Sequence, residues 1–291
     1  MRRGYIARSA EKPPLAKPAL QITPPLSVTV ITYEYDPLYR LKNANYTGVL
    51  SGTYSYSYDA AGNRLSFSTN VTNTQTVTYT YDAANRLTES ADLTSGTVTT
   101  YDWDNAGRLI TTTVNGQISR LYSYSQDGDL LQAVVDGVAT TFAYDGDGNR
   151  LQMTADGVTT TYTLDYAASF QPLLEIGGSG FTSKHYLYGV ACIAEIVDEG
   201  RPEEETRYYH RDGSNLVRQI TNQNEAITYA WTYSPEGAVI LGPEGPVTRL
   251  DCGDNAIYDW STGLIFKNGR YFDPNTGIWI TLGGIVVWDG W

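Results

Sequence analysis

The side chains here that could do chemistry recur in one phrase: aromatic, any residue, Tyr, Asp, then Gly or Asn, Arg and Leu. It reads Tyr33-Glu-Tyr35-Asp36, then Tyr56-Ser-Tyr58-Asp59 with Gly62-Asn-Arg-Leu65, then Tyr79-Thr-Tyr81-Asp82 with Asn85-Arg-Leu87. Tyr101-Asp-Trp-Asp104 with Gly107-Arg-Leu109 follows, and later Phe142-Ala-Tyr144-Asp145 with Gly148-Asn-Arg-Leu151; a worn copy runs from Tyr122 to Leu130. Such a row of tyrosines could stack on sugar rings, or it could pack a core and pair across strands. Each tyrosine is tied to a turn rather than to an exposed loop, which favours packing. Other chemistries find little support. His185 and His210 are too few for a histidine metal site. Cys192 and Cys252 are too few and too far apart for a metal site or a disulfide framework, and read as small buried hydrophobes. Gly177-Gly-Ser-Gly180 lacks the lysine and the strand–helix setting of a phosphate loop and reads as a turn. No cofactor and no metal are expected.

Self-similarity at a period of about 20 residues marks a repeat architecture. Within a copy, Tyr56 and Tyr58 lie on one strand face, because side chains alternate with period two. Asp59 ends the strand by accepting a backbone N–H, Gly62 takes the positive φ of the turn, and Arg64-Leu65 begins the return strand. A second turn signal, Asn115-Gly116, Asp136-Gly137 and Asp156-Gly157, alternates with the first and predicts type I′ hairpins. Runs such as Ile110-Thr-Thr-Thr-Val114 are β-branched without helical periodicity. The fold class is therefore all-β, each copy supplying two short strands and two turns.

The chain has 291 residues, 24 of them tyrosine, and a formal net charge of −12. That charge argues against nucleic acid or an anionic membrane as partner. Residues 1–30 are basic and proline-rich and read as a disordered leader, with no apolar run of signal-peptide length. No stretch is long enough to span a bilayer; the most apolar one, from Ile278 to Val287, is broken by Gly283-Gly284.

After about residue 165 the short period fades into Tyr186-Leu-Tyr-Gly189, Tyr208-Tyr-His-Arg-Asp212 and Tyr229-Ala-Trp-Thr-Tyr-Ser-Pro-Glu-Gly237. These lead to Thr262-Gly263-Leu and Arg270-Tyr-Phe-Asp273-Pro274-Asn-Thr-Gly277. The Tyr-Asp phrases resemble the YD repeats of RHS (rearrangement hotspot) proteins. The closing run is similar to the "TGLYYxxARYYDPxTGRF" stretch of the RHS repeat-associated core. The resemblance spans residues 33–285. It divides the chain into a leader (1–30), a YD-repeat sheet (31–165), the core (166–285) and a tail (286–291) with no toxin domain.

The resemblance implies a sheet spiralling into a hollow shell, as in polymorphic toxins, toxin-complex cocoons and teneurins. With six or seven repeats the shell is expected to be incomplete, its unpaired edges open to another chain. The chain then reads as the C-terminal portion of a larger shell, separately started or truncated. The family's self-cleavage needs two carboxylates, one protonated and one ionised. Asp259 matches the first, but Gly283 stands where the second should be, with Gly284 in place of its proline. Asp273, before Pro274, reads as a turn residue. The chain is thus expected not to cut itself and not to be an enzyme.

Three functional readings follow. The favoured one is a non-enzymatic wall-and-core piece of a toxin-encapsulating shell, paired with a longer RHS chain or a neighbouring toxin or shell component. The second is an adhesion module for a cell-surface glycan or protein, which requires several exposed aromatics in one groove. The third is a self-processing aspartyl protease, which Gly283 disfavours. The family also implies a secreted or cell-surface location reached by a dedicated export system, without membrane insertion.

Overall fold

The computed structural model describes residues 29–167, 171–177, 182–189, 191–213, 216–242, 256–267 and 269–281. Leader residues 1–28, Cys252, Gly283 and the tail lie outside them. Nineteen strands, from Thr29–Tyr35 to Ile227–Ala230, form one antiparallel sheet in which each strand pairs with its neighbour in sequence. The sheet is not closed into a barrel. Its first strand pairs only with Leu41–Gly48 and its last only with Val217–Asn222, so both outer edges are open among the described residues.

Period-two alternation decides which face is buried. Tyr54 and Tyr56 are buried on Gly52–Tyr58, Val77 and Tyr79 on Gln75–Tyr81, and Tyr101 on Thr97–Trp103. The other face of these strands is largely Ser and Thr, as in the paired Ser57 and Ser66 hydroxyls, 2.6 Å apart. The Asn-Gly and Asp-Gly turns have positive φ at both central residues: 48° and 81° at Asn115-Gly116, and 49° and 86° at Asp136-Gly137. That is the type I′ geometry. At the other end of each hairpin the phrase aspartate organises the turn. The Asp82 carboxylate accepts the N–H groups of Ala84 and Arg86, each at 2.9 Å. The left-handed residue of that turn is Gly62, Gly107 or Gly148 in three copies, but Asn85 and Tyr39 in two others. Register slips by one residue just before the aspartate, at Ser57/Tyr58, Thr80/Tyr81, Asp102/Trp103 and Ala143/Tyr144. A bulge repeated at the same rim bends every hairpin the same way and curls the sheet.

The phrase tyrosine also joins one copy to the preceding one. The Tyr58 hydroxyl donates to the Leu41 carbonyl at 2.8 Å, Tyr81 to Arg64 at 2.9 Å, Tyr124 to Leu109 at 2.7 Å and Tyr144 to Leu130 at 2.9 Å. Trp103 replaces tyrosine in one copy, and its indole N–H makes the same bond to Leu87 at 2.7 Å. Burial pushes the Tyr58 and Tyr81 hydroxyls up to about 12, which keeps them protonated as donors.

Four further strands, Ile257–Asp259, Leu264–Lys267, Arg270–Asp273 and Ile278–Trp279, make a separate sheet. Both its faces are buried. Leu264, Phe266, Tyr271 and Ile280 pack with Tyr79, Leu87, Tyr101, Leu109, Tyr122, Leu130 and Phe142 of the large sheet. Ile265, Phe272 and Trp279 pack with Tyr186, Tyr209, Val217 and Ile220 from its later strands. The large sheet is thus a curled wall, and the small one a plug held between two of its arcs. The hairpin Thr232–Tyr233/Val239–Leu241 bridges the wall's ends: the Tyr46 hydroxyl donates to the Tyr233 carbonyl at 2.8 Å, and Ile240 packs with Tyr46, Tyr54 and Tyr56.

Two outcomes follow. Tyr81→Phe leaves the half-buried Arg64 carbonyl without its donor and should cost about 1–3 kcal/mol in urea unfolding; an unchanged midpoint would show that the ring alone matters. Second, removal from water would raise the carboxyls of Asp36, Asp59, Asp82, Asp104 and Asp145, but their N–H bonds prevail and hold all five below the ordinary 3.8. A depressed folded pKa contributes stability above 3.8 and loses it as pH falls through the folded value. The urea midpoint should therefore hold from neutrality to about pH 4 and fall below it; a decline starting above pH 5 would assign acid sensitivity to other groups.

Candidate functional site

The contact of wall with plug is where charged side chains converge, and a one-residue difference in repeat spacing creates it. In the copies Asp36–Arg40, Asp82–Arg86 and Asp104–Arg108 the arginine lies four residues after the aspartate. It pairs with that aspartate at 2.6 Å each time and stays at the rim. A second guanidinium N–H reaches forward to the next turn's carbonyl: Arg40 to Asp59 at 2.8 Å, Arg86 to Asp104 at 3.3 Å, Arg108 to Ser125 at 2.9 Å. In these three copies the fifth residue is leucine, and Leu87 and Leu109 point inward, 1% and 2% exposed.

The copies at Asp59 and Asp145 insert one residue. Asn63 and Asn149 take the fourth position, each donating from its side-chain amide to the aspartate of its own turn, while Asn63 also donates to the Asn85 side-chain oxygen. The arginine then falls on the fifth. One residue along a strand is the opposite face, so Arg64 and Arg150 point inward where other copies have leucine, while Leu65 is turned out, 43% exposed.

Both inward arginines grip structure far away in sequence. Arg150 donates to Asp259 of the plug at 2.6 Å and to the Tyr271 hydroxyl at 3.4 Å; the ion pair is 1% and 2% exposed. The Arg150 Nε and Nη2 atoms have no hydrogen-bond partner; the guanidinium lies over Phe266 at 4.6 Å and Tyr162 at 5.2 Å. Burial works against the Arg150 charge, but Asp259, Tyr271 and Tyr162 outweigh it and raise its pKa well above the ordinary arginine value. Tyr271 meets the Tyr144 hydroxyl at 2.7 Å, so one network runs from a wall clip to the plug. Arg64 pairs with Glu236 of the bridging hairpin at 2.9 Å, donates to the Tyr79 hydroxyl at 3.0 Å and binds the Thr276 carbonyl of the plug. A third arginine, Arg120, reaches Asp273 at 3.8 Å and the Thr262 carbonyl at 3.4 Å.

The core-motif residues have specific places around this contact. Gly263 takes φ 70° in the turn after Asp259, its N–H bonded to the Asp259 carbonyl at 2.7 Å. Asp273 heads the Pro274–Gly277 turn: its carboxylate accepts the Asn275 N–H at 2.9 Å and its carbonyl the Gly277 N–H at 2.8 Å. Gly277 has φ 75°, and a Cβ there would meet Arg64 Nη1 at 3.3 Å. Arg270 lies over the Trp279 ring at 4.3 Å. The repeat residues Tyr35, Asp36, Tyr58, Asp59, Gly62, Tyr81, Asp82, Asp104, Gly107, Tyr144, Asp145 and Gly148 belong to the rim turns and clips. Gly283 lies outside the described residues. Cys192 is buried and its thiol faces the Ala194 carbonyl at 3.6 Å. No group of three or more metal-ligating side chains occurs among the described residues. A cavity of about 770 Å³, lined in part by Met153, Tyr162, Glu175, Lys184, Tyr258 and Trp260, adjoins Asp259.

Sequence reasoning missed Arg64, Arg120, Arg150 and Glu236. A signal existed for two of them: Asp-x-x-x-Asn-Arg against Asp-x-x-x-Arg, identical in spelling around Arg-Leu but shifted by one in register. Arg150→Met leaves Asp259 buried without its cation and should cost about 3–5 kcal/mol. Adding Asp259→Leu should restore most of that loss, because a matched apolar pair carries no uncompensated charge. Equal losses in the single and double variants, read by urea unfolding with tryptophan fluorescence, would exclude the ion pair as the tie.

A family model described as Teneurin YD-shell matches residues 21–289. No curated protein sequence matches the chain. Among solved structures, a Photorhabdus luminescens Tc holotoxin pore is 16% identical at a TM-score of 0.46, over 90% of this chain and 17% of that one. The TcdB2–TccC3 crystal structure is 17% identical at a TM-score of 0.44, over 87% of this chain and 17% of that one. This chain therefore spans about a sixth of the length of those two chains. With 21–289 of its residues matched by the family model and its hairpins built from Tyr-Asp turns, the chain belongs to the teneurin YD-shell family.

Proposed function

We propose that the chain is a non-enzymatic structural section of an RHS toxin-encapsulating shell: C-terminal wall and plug, with a degenerate self-cleavage site. Its partner is a longer RHS chain or a neighbouring toxin or shell component, and its location is secreted or at a cell surface. The observation that carries this reading is the plug, a four-stranded sheet buried on both faces between two arcs of one curled wall. Such a layout encloses, and it turns the tyrosine rows of the repeats towards the plug. Tyr54, Tyr56, Tyr79, Tyr101, Tyr122, Tyr162 and Tyr186 are all under 9% exposed, which counts against an adhesion surface made of the tyrosine rows.

The electrostatics also count against self-cleavage. A hydrolytic carboxylate dyad works by two acids sharing one proton. Here Asp259 is held by Arg150 at 2.6 Å and Asp273 by its own turn, with Arg120 beside it at 3.8 Å. The second family position is Gly283 in this sequence. Intact-mass analysis after overnight incubation should return the full-length mass, and a glycan array should stay blank. A fragment cut near residue 285 would replace this reading with self-processing; saturable binding to a glycan would replace it with adhesion.

A further inference from the structure

Wall and plug part around the cavity beside Asp259. Its volume of about 770 Å³ is that of a small-molecule site. Three parts of the chain enclose it: wall strands between Arg150 and Tyr188, the bridging hairpin, and the first strand and turn of the plug. All three contribute apolar lining, with Met153 and Tyr162 from the wall, Ile240 from the hairpin, and Ile257, Tyr258 and Trp260 from the plug. Tyr162, Ile257 and Asp259 in this lining are buried, whereas Val158 and Leu241 are 44% and 51% exposed. The cavity therefore reaches from the interior to solvent.

Register supplies the polar part of the lining. Tyr162 lies opposite Glu175, and Glu175 opposite Lys184, on three adjoining strands. Residues directly opposite share a face, so a carboxylate and an ammonium join the tyrosine at the cavity. The Glu175 carboxylate is well supplied: it accepts the Tyr186 hydroxyl at 2.6 Å and stands 3.6 Å from Lys184 Nζ. Lys184 is not. Its side chain is 13% exposed, yet its N–H groups make no hydrogen bond among the described residues, because 3.6 Å is beyond bonding distance. Two other lining residues share this lack: the Trp260 indole N–H and the Ser261 hydroxyl are buried with no hydrogen-bond partner. Buried donors left unbonded are destabilising, and native structures rarely gather several of them. All three groups can donate, so what the cavity lacks is acceptors.

Charge narrows the choice of occupant. Lys184 is already matched by Glu175, and Asp259 by Arg150, while Asp156 adds a further carboxylate to the lining. An anion would bring acceptors but would face Glu175 and Asp156. A cation would bring donors to a site short of acceptors and would meet Lys184. We infer that the cavity binds a small uncharged molecule with an aromatic body and a carbonyl oxygen. The body packs among Tyr162, Tyr258 and Trp260, and the oxygen accepts from Lys184. Such a site is independent of the shell reading, and either can fail alone.

The probe is prodan, an uncharged naphthalene ketone whose emission moves to the blue in apolar surroundings. Titrated into the full chain, it should bind saturably, one molecule per chain, with blue-shifted emission. Lys184→Met removes the donor, keeps most of the side-chain volume, and should weaken binding about tenfold. Val158→Trp, at a position 44% exposed, should fill the mouth and weaken binding at least as much. Urea midpoints check that both variants fold; if Lys184→Met does not, Val158→Trp decides. Neither naphthoate nor naphthylmethylammonium should displace the dye. A folded chain that binds no prodan up to the dye's solubility limit overturns the inference and leaves the donors to water. Unchanged affinity in the folded variants overturns it too, placing the dye on another surface. Displacement by naphthoate would make the occupant an anion and overturn the uncharged class.

Discussion

A sheet with one apolar face is stable only when that face is covered, and the whole layout follows from how this chain covers it. Nineteen strands in a meander place their rows of Tyr, Leu and Phe on a single side. A flat sheet would leave that side wet. The bulge repeated before each turn aspartate bends the hairpins in one sense, so the apolar side becomes concave. Four short strands from the C-terminal segment then fill it. Those strands are apolar on both faces: Ile265 and Leu264 are neighbours in sequence, point to opposite sides, and are each 0% exposed. The plug meets the wall twice and could not be buried by a sheet that failed to curl.

Within that frame, specificity comes from counting. Side-chain direction in a strand has period two, so inserting Asn63 or Asn149 turns the following arginine from the rim to the interior. The asparagine keeps the turn closed by standing in for the arginine at the aspartate. The displaced arginine becomes a charged post in an apolar enclosure, which would be prohibitive without an acceptor. Asp259, Glu236 and the Thr276 carbonyl meet that requirement. Apolar contact alone would let the plug slide or rotate; two posts at defined wall positions set its orientation.

Much of the wall was legible in the sequence, and the reason is locality. Asp59 and Asn63 are four residues apart, Asn115 and Gly116 adjacent, and such pairs form the same turn in any context. The packing role of the tyrosines was legible as well. Their hydroxyl clips were not, because the bond from Tyr81 to the Arg64 carbonyl spans 17 residues and leaves no mark on composition. The worn copy at Tyr122 lacks its aspartate, yet Ser125 still accepts the forward bond from Arg108 on its carbonyl, a backbone role that any residue can fill. Least legible was the plug. Arg150 and Asp259 are separated by 109 residues, and nothing near either announces the other. The fading of the period near residue 165 describes the spelling of the turns; the sheet itself runs on to Ala230.

Asp259 shows how one residue can be nominated for one task and employed in another. The sequence resemblance nominates it, ahead of Thr262-Gly263-Leu264, for the proposed cleavage role. A general acid must carry a proton at the moment of reaction, and a carboxyl that holds a proton gains nothing from a guanidinium 2.6 Å away. A post that anchors the plug needs the opposite: a permanent charge, buried and paired. The two demands conflict on one side chain unless a second acid is present to share the proton and release the arginine. On the proposed shell reading, with Gly283 at that second position, Asp259 serves as the anchor. The same ion pair that would impede hydrolysis is the one that fixes the plug to the wall.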